Sequence, residues 1–195
     1  MEGNRTYAID EAAEGLHAHS VARRHLIAAQ QPFATVIGCS DSRVPIEIVF
    51  NQSLGDLFVI RVAGNILNDH IIGSVEYAVA TFGCSLVMVL GHSNCGAVTA
   101  AVDAVLHGRE APSRIATIVD AIRPNVESVR DHDDVIEAAV KQNVRSVTAA
   151  LQSAQPLISQ ARELGRLAVV GAEYHLSTGR VTTLCGDLAE TVAQG

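Results

Sequence analysis

Three short runs, Phe33 to Ile37, Leu57 to Val62 and Leu86 to Leu90, are almost wholly apolar and rich in β-branched residues. A strand with one wet face alternates apolar and polar positions. These runs do not alternate, so each needs cover on both faces, the environment of a parallel sheet enclosed by helices. Between the second and third runs, Ile72, Val75, Val79 and Phe82 recur at helical spacing, with Asn68 or Asp69 to cap the start and Gly83 to end it. Further helices are expected over Gly96 to Leu106 and over Val135 to Leu151, the latter with Val140, Val144, Val147 and Leu151 on one face.

Leu167 to Val170 resembles another core strand. Glu173 to Leu176 and Val181 to Leu184 then flank Ser177-Thr-Gly-Arg180, the pattern of an antiparallel hairpin at a sheet edge. Glu11 to Ala29 reads as a weakly amphipathic helical arm that packs on its own body or on a neighbour. The expected architecture is α/β: a central, mostly parallel sheet with an antiparallel edge hairpin, flanked by helices and preceded by an N-terminal helical arm. No repeat or linker divides the chain, so residues 1–195 read as one domain.

With 195 residues, 48% of them hydrophobic, such a domain buries a core without covalent or metal staples. A metal ion is therefore not required merely for folding. The net charge of -7, with Lys and Arg scattered, leaves no basic footprint for nucleic acid or an anionic membrane. Neither a secretory apolar core nor a run of membrane-spanning length is present, which reads as a soluble, cytoplasmic protein. In a reducing compartment four cysteines serve metal binding or simple burial rather than disulfides.

Two motifs carry the chemistry: Cys39-Ser-Asp-Ser-Arg43 and His92-Ser-Asn-Cys95. Cys39 falls two residues after the first apolar run and His92 two after the third, so both belong at carboxyl ends of parallel strands, where α/β sheets hold their sites. Cys95 opens the helix at Gly96, where free backbone N–H groups and the helix dipole favour a thiolate. Thiolates and imidazole suit Zn2+, and three protein ligands leave a position open for water or substrate. Two thiolates cancel the ion's charge and leave bound water less acidified. Asp41, held ionised and oriented by Arg43, would then accept the water's hydrogen bond. Asp41 is also close enough in sequence to become a fourth ligand and close the site. Acidification weakens both thiolate ligation and Asp41 as acceptor, so activity is expected to fall at low pH. Cys84 and Cys185 lack ligand-like company and read as small buried hydrophobes. Ala63-Gly64-Asn65 lacks the glycine spacing of a phosphate loop, so no nucleotide cofactor is implied.

The order C-x-D-x-R followed by H-x-x-C resembles the β-class carbonic anhydrases. The likeness extends through Gln30 to Phe33, Gly38 to Arg43 and Pro45, Gly55 to Phe58, Arg61 to Asn65, Glu76 to Val79, Gly91 to Val98, Val170 to Ala172 and Thr178 to Arg180. It implies reversible hydration of CO2 to bicarbonate and a proton by zinc-bound hydroxide, with Cys39, His92 and Cys95 as zinc ligands and Asp41 and Arg43 as a catalytic dyad. It also implies a homodimer or a multiple of dimers. Gln30, Phe58, Tyr77 and Gly96 match substrate-pocket positions of members with an open site, in which the glutamine reaches across the dimer to the bound anion. Members switched off by Asp coordination tend to carry Trp three residues before the first ligand, where this chain has Val36; Arg61 occurs more widely. On the same fold and metal, hydrolysis of carbonyl sulfide or carbon disulfide is the alternative enzyme reading. A zinc protein without catalysis is the other, and it would have no use for Asp41 and Arg43.

Overall fold

The protein is described by a computed structural model covering residues 1–9, 24 and 26–187. In chain order the elements are α1 (Glu2–Ala8), β1 (Ala34–Gly38), α2 (Ile46–Val49), β2 (Leu57–Arg61), a 3-10 turn (Ala63–Asn65), α3 (Asp69–Phe82), β3 (Leu86–His92), α4 (Gly96–His107), α5 (Ile115–Glu127), α6 (Val135–Gln152), α7 (Leu157–Glu163), β4 (Ala168–Tyr174) and β5 (Val181–Gly186). The expected arm over Glu11 to Ala29 lies for the most part outside the described residues. Its last residues, Leu26 to Ala29, form a turn and bend rather than helix.

The strands make one sheet in the order β2-β1-β3-β4-β5. All neighbours are parallel except β4 and β5, which form the expected antiparallel edge pair. Every residue of β1 is buried, as its unbroken apolar run requires. Side chains alternate between two cores. Ile37, Ile60, Val87, Val89 and Val169 meet α3, α6 and α7 on one face, while Val36, Met88, Leu90 and Val170 meet the α2 segment and Tyr7 of α1 on the other. A third cluster joins α4, α5 and α6 around Cys39 and Cys95. From β1 the chain moves outward to β2, then returns across β1 to β3. The carboxyl ends of β1 and β3 thus flank the crevice where the winding direction reverses, the ligand-binding position of open α/β sheets.

α3 has the expected ends: the Asn68 side chain accepts hydrogen bonds from the N–H groups of His70 and Ile71, and Gly83 adopts the left-handed conformation with φ of 70°. β3 and β4 run further than their apolar runs, through Gly91-His92 and Glu173-Tyr174. Their ladder continues from Leu86↔Ala168 to His92↔Tyr174 and draws two polar residues, His92 and Glu173, into complete burial. α5 is not anticipated by the sequence reading, because Pro124 lies within it, yet Val119, Ile122 and Val126 bury one face. α1 docks through Asn4, which donates to the carbonyls of Val49 and Gly179 and accepts from the Val181 N–H.

Candidate metal centre

Cys39 is the first residue beyond β1, His92 is the last residue of β3, and Cys95 immediately precedes α4. All three are buried, and their ligand atoms lie within 4.8 Å of one another. The residues that the two motifs singled out are therefore brought together. Residues 93 and 94 make the turn that returns Cys95 to His92, with Asn94 at a positive φ of 54°. The Ser93 N–H donates to the Tyr174 carbonyl and the Leu176 N–H to Ser93 Oγ, fastening this turn to the chain leaving β4.

His92 is oriented for ligation. Its Nδ1 is 3.0 Å from the Ser93 carbonyl, a contact that requires the proton on Nδ1 and leaves the lone pair on Nε2. Nε2 is buried with no hydrogen-bond partner among the described residues. A buried nitrogen with nothing to bond is costly unless a ligand completes it. The two thiols that converge on it are the soft donors that complete a Cys2His set, so the residues present fit a zinc ion.

The sulfur atoms of Cys39 and Cys95 are 4.0 Å apart. The Cys95 thiol hydrogen bond holds Cys39 down to about 4, against the cost of burial, with help from His92 and from the Gly64 and Asp41 N–H groups. Cys95 moves the other way: its hydrogen bond to Cys39 and its burial raise it, while the N–H groups of Val98 and Ala97 at the start of α4 oppose the rise. A metal ion held here would need both thiols deprotonated.

Asp41 stands beside this cluster. Its Oδ1 accepts from the Arg43 backbone N–H and Nε, both at 2.9 Å, and its Oδ2 accepts from Arg43 Nη2 at 2.7 Å. That two-pronged grip holds the carboxyl well below the usual carboxylate range. Asp41 Oδ2 is also 3.9 Å from His92 Nε2, so the carboxylate faces the position where the three ligands converge. Arg61 fixes the loop from outside, donating to the carbonyls of Cys39 and Asp41.

Sequence reasoning missed the support behind Cys39. Gly64, passed over as an incomplete phosphate loop, sits at φ of 69° and donates its N–H to Cys39 Sγ at 3.3 Å. Its carbonyl accepts from Asn143 Nδ2 at 2.8 Å, and Asn143 Oδ1 accepts from Asn125 at 3.0 Å. One signal was present: Asn143 is a polar residue inside the apolar stripe of Val140, Val144, Val147 and Leu151, all buried.

The four pocket positions inferred from resemblance divide. Gly96 opens α4 directly after Cys95. Phe58 pairs in register with Thr35, four residues before Cys39, or roughly 13 Å along the strand. It packs with Tyr77 and Phe82, ring centroids 6.3 and 5.9 Å away, and Tyr77 is 54% exposed. Gln30 is exposed in the segment before β1. Within one chain, Phe58 and Tyr77 belong to an aromatic cluster rather than to the group of metal ligands. Cys84 is buried with Sγ 3.3 Å from the Pro32 carbonyl, and Cys185 is partly buried on β5.

Residues 34–181 match the family model described as carbonic anhydrase, and that span contains both motifs and strands β1 to β4, ending at the first residue of β5. The chain belongs to the β-carbonic anhydrase family. A carbonic anhydrase of Mycolicibacterium smegmatis is 39% identical over 197 residues, covering 97% of this chain and 93% of that one. Carbonic anhydrase 2 of Mycobacterium tuberculosis is 39% identical over 159 residues, covering 81% of this chain and 77% of that one. Among solved structures, the β-carbonic anhydrase CcaA superposes with a TM-score of 0.75 at 29% identity over 90% of each chain. The tetrameric β-carbonic anhydrases of Sordaria macrospora give 0.77 at 26% identity over 95% of each chain. The β-carbonic anhydrase fold in this chain thus comes with the Cys, His, Cys cluster at its switch point.

Proposed function

We propose that this protein is a zinc-dependent carbonic anhydrase that hydrates CO2 reversibly to bicarbonate and a proton. The observation that carries the reading is the buried, partnerless Nε2 of His92 converging with two thiols while the Asp41 carboxylate faces it at 3.9 Å. Cys39, His92 and Cys95 would hold the ion, whose contribution when bound would be Lewis acidity, which lets water lose a proton more readily near neutral pH. The rest falls to the chain. The Ser93 carbonyl keeps His92 in the ligating tautomer. The Gly64 N–H supports the Cys39 thiolate.

Asp41 accepts a hydrogen bond from the reacting water and so turns a lone pair of the water oxygen toward CO2. Arg43 occupies both of its oxygens and so favours this open arrangement over ligation by Asp41. Val36 is buried against the neighbouring strands and Phe50, in keeping with a site lacking the tryptophan of switched relatives. Because Asp41 is held far below the usual range, acid acts first on thiolate ligation rather than on Asp41.

The working unit is a homodimer or a multiple of dimers, with residues 1–195 as one domain. Gln30 and the partly exposed Phe58 and Tyr77 cluster would reach a substrate pocket only in combination with a second copy. None of the described helices is long and apolar enough to cross a membrane, which suits a cytoplasmic enzyme. Stopped-flow CO2 hydration on protein of measured zinc content, run beside carbonyl sulfide, tests the reading. Rapid hydration proportional to zinc, exceeding carbonyl sulfide hydrolysis, is expected; zinc-replete protein inert toward CO2 overturns it.

A further inference from the structure

A second cluster of metal-binding groups lies outside the site just described. Glu173 is drawn into the sheet because β4 continues past its apolar run, and it lies opposite Gly91 in the ladder. The residue is fully buried, and neither carboxylate oxygen has a hydrogen-bond partner among the described residues. His175 Nε2 is 3.9 Å from Glu173 Oε2. Glu137, in the first turn of α6, completes a set whose ligand atoms all lie within 4.8 Å of one another.

A buried carboxylate without donors has to be met by a proton or a cation. The chain's own cations near the cluster are Lys141 and Arg145 of α6. Lys141 Nζ is 2.9 Å from Glu137 Oε1, a half-buried pair one helical turn apart, and makes no bond to Glu173. Left to itself, Glu173 is pushed up to about 7, first by burial and then by the like charge of Glu137, with Lys141 and Arg145 pulling the other way. Two carboxylates and an imidazole from three directions form an O2N donor set. It has too few oxygens for Ca2+, lacks the sulfur that Cu+ prefers, and suits Zn2+, Co2+ or Mn2+. A surface hollow lined by His132, Glu137, Lys141 and Arg145 reaches the cluster at Glu137.

We propose that Glu137, Glu173 and His175 form a second divalent-cation site, separate from Cys39, His92 and Cys95 and independent of the CO2 reading. The site uses hard and borderline donors only, so its ion exchanges without disturbing the thiolates.

Full-length protein is equilibrated with a micromolar excess of Zn2+ or Co2+, and bound metal per chain is measured by elemental analysis alongside the cobalt absorption spectrum. The expected result is two equivalents in the wild type and one in Glu173→Gln, with the sulfur-to-cobalt charge-transfer band unchanged in that variant. Cys39→Ser should lose this band yet keep the equivalent that has none. If Glu173→Gln does not fold, His175→Ala, altered at a partly exposed position, is expected to show the same loss of one equivalent. A wild type that saturates at one equivalent overturns the proposal, as does a second equivalent that survives in the foldable variants of Glu173 and His175.

Discussion

His92 is the last residue of β3 and Glu173 the last but one of the adjacent β4, both fully buried and both holding polar atoms that nothing in the described chain satisfies. They differ in what surrounds the orphaned atom. His92 is fixed in one tautomer by the Ser93 carbonyl, and its neighbour Cys39 is supported by Gly64 and, behind that, Asn143. Glu173 has no such backing; His175 and Glu137 reach it from a turn and a helix surface. The contrast teaches that preorganisation, more than burial, separates a site that holds one ion in fixed geometry from one that accepts a cation or a proton according to conditions.

The sharpest way to break this comparison is to remove a donor from the first cluster. Cys39→Ser should abolish zinc binding at this cluster, one equivalent per chain, and lower CO2 hydration by about 10³-fold or more, since Lewis acidity is worth several kcal/mol. Metal content measured beside turnover checks it; zinc retained at full stoichiometry would show that Cys39 is no ligand. Next in size is Asp41→Asn, which leaves all three ligands in place. Its zinc content should stay at the wild-type level while kcat drops about 10²-fold. Unaltered kcat would remove Asp41 from the mechanism.

The value of preorganisation itself is tested at Asn143. Asn143→Ala strips the buried Gly64 carbonyl of its donor and should cost about 1–3 kcal/mol in denaturant unfolding, together with about 10-fold in zinc affinity. Lost stability with unchanged affinity would separate the Gly64 support from the metal centre.

The smallest effect concerns the less organised cluster. Glu173 is raised from the ordinary carboxylate value to about 7, so between those values the native state keeps a proton that the unfolded state has lost. Stability therefore falls as pH rises through that window, and the loss is complete above about 7. Without added divalent metal, the wild type should lose about 1–3 kcal/mol more than Glu173→Gln between about pH 5 and about pH 8. Added Zn2+ should close the gap by binding the carboxylate. Parallel pH profiles in the two proteins would show that Glu173 is solvated in the native state.

Much of the first cluster was legible because its members stand in two short motifs beside runs whose apolar continuity marks buried strands. Cys39, His92 and Cys95 needed only the parallel order of β1 and β3 to meet. Gly64 and Asn143 were not legible as its support, being 79 positions apart and joined by one hydrogen bond. Glu173 pairs with Thr182 in the expected hairpin, but its burial was not legible, because an isolated Glu in a β segment normally faces water. Helix α5 escaped because Pro124 masked a face that Val119, Ile122 and Val126 bury.

By itself the sequence determined the core strands, helices α3, α4 and α6, the antiparallel edge, the candidate ligands Cys39, His92 and Cys95 and the Asp41 and Arg43 pairing, since each depends on periodicity or on residues close along the chain. Only the tertiary structure decided which strands adjoin, how far β3 and β4 carry their polar ends into the core, and which backbone groups brace the ligands. These follow from register and packing between segments distant in sequence, where one hydrogen bond or one buried carboxylate leaves no periodic trace.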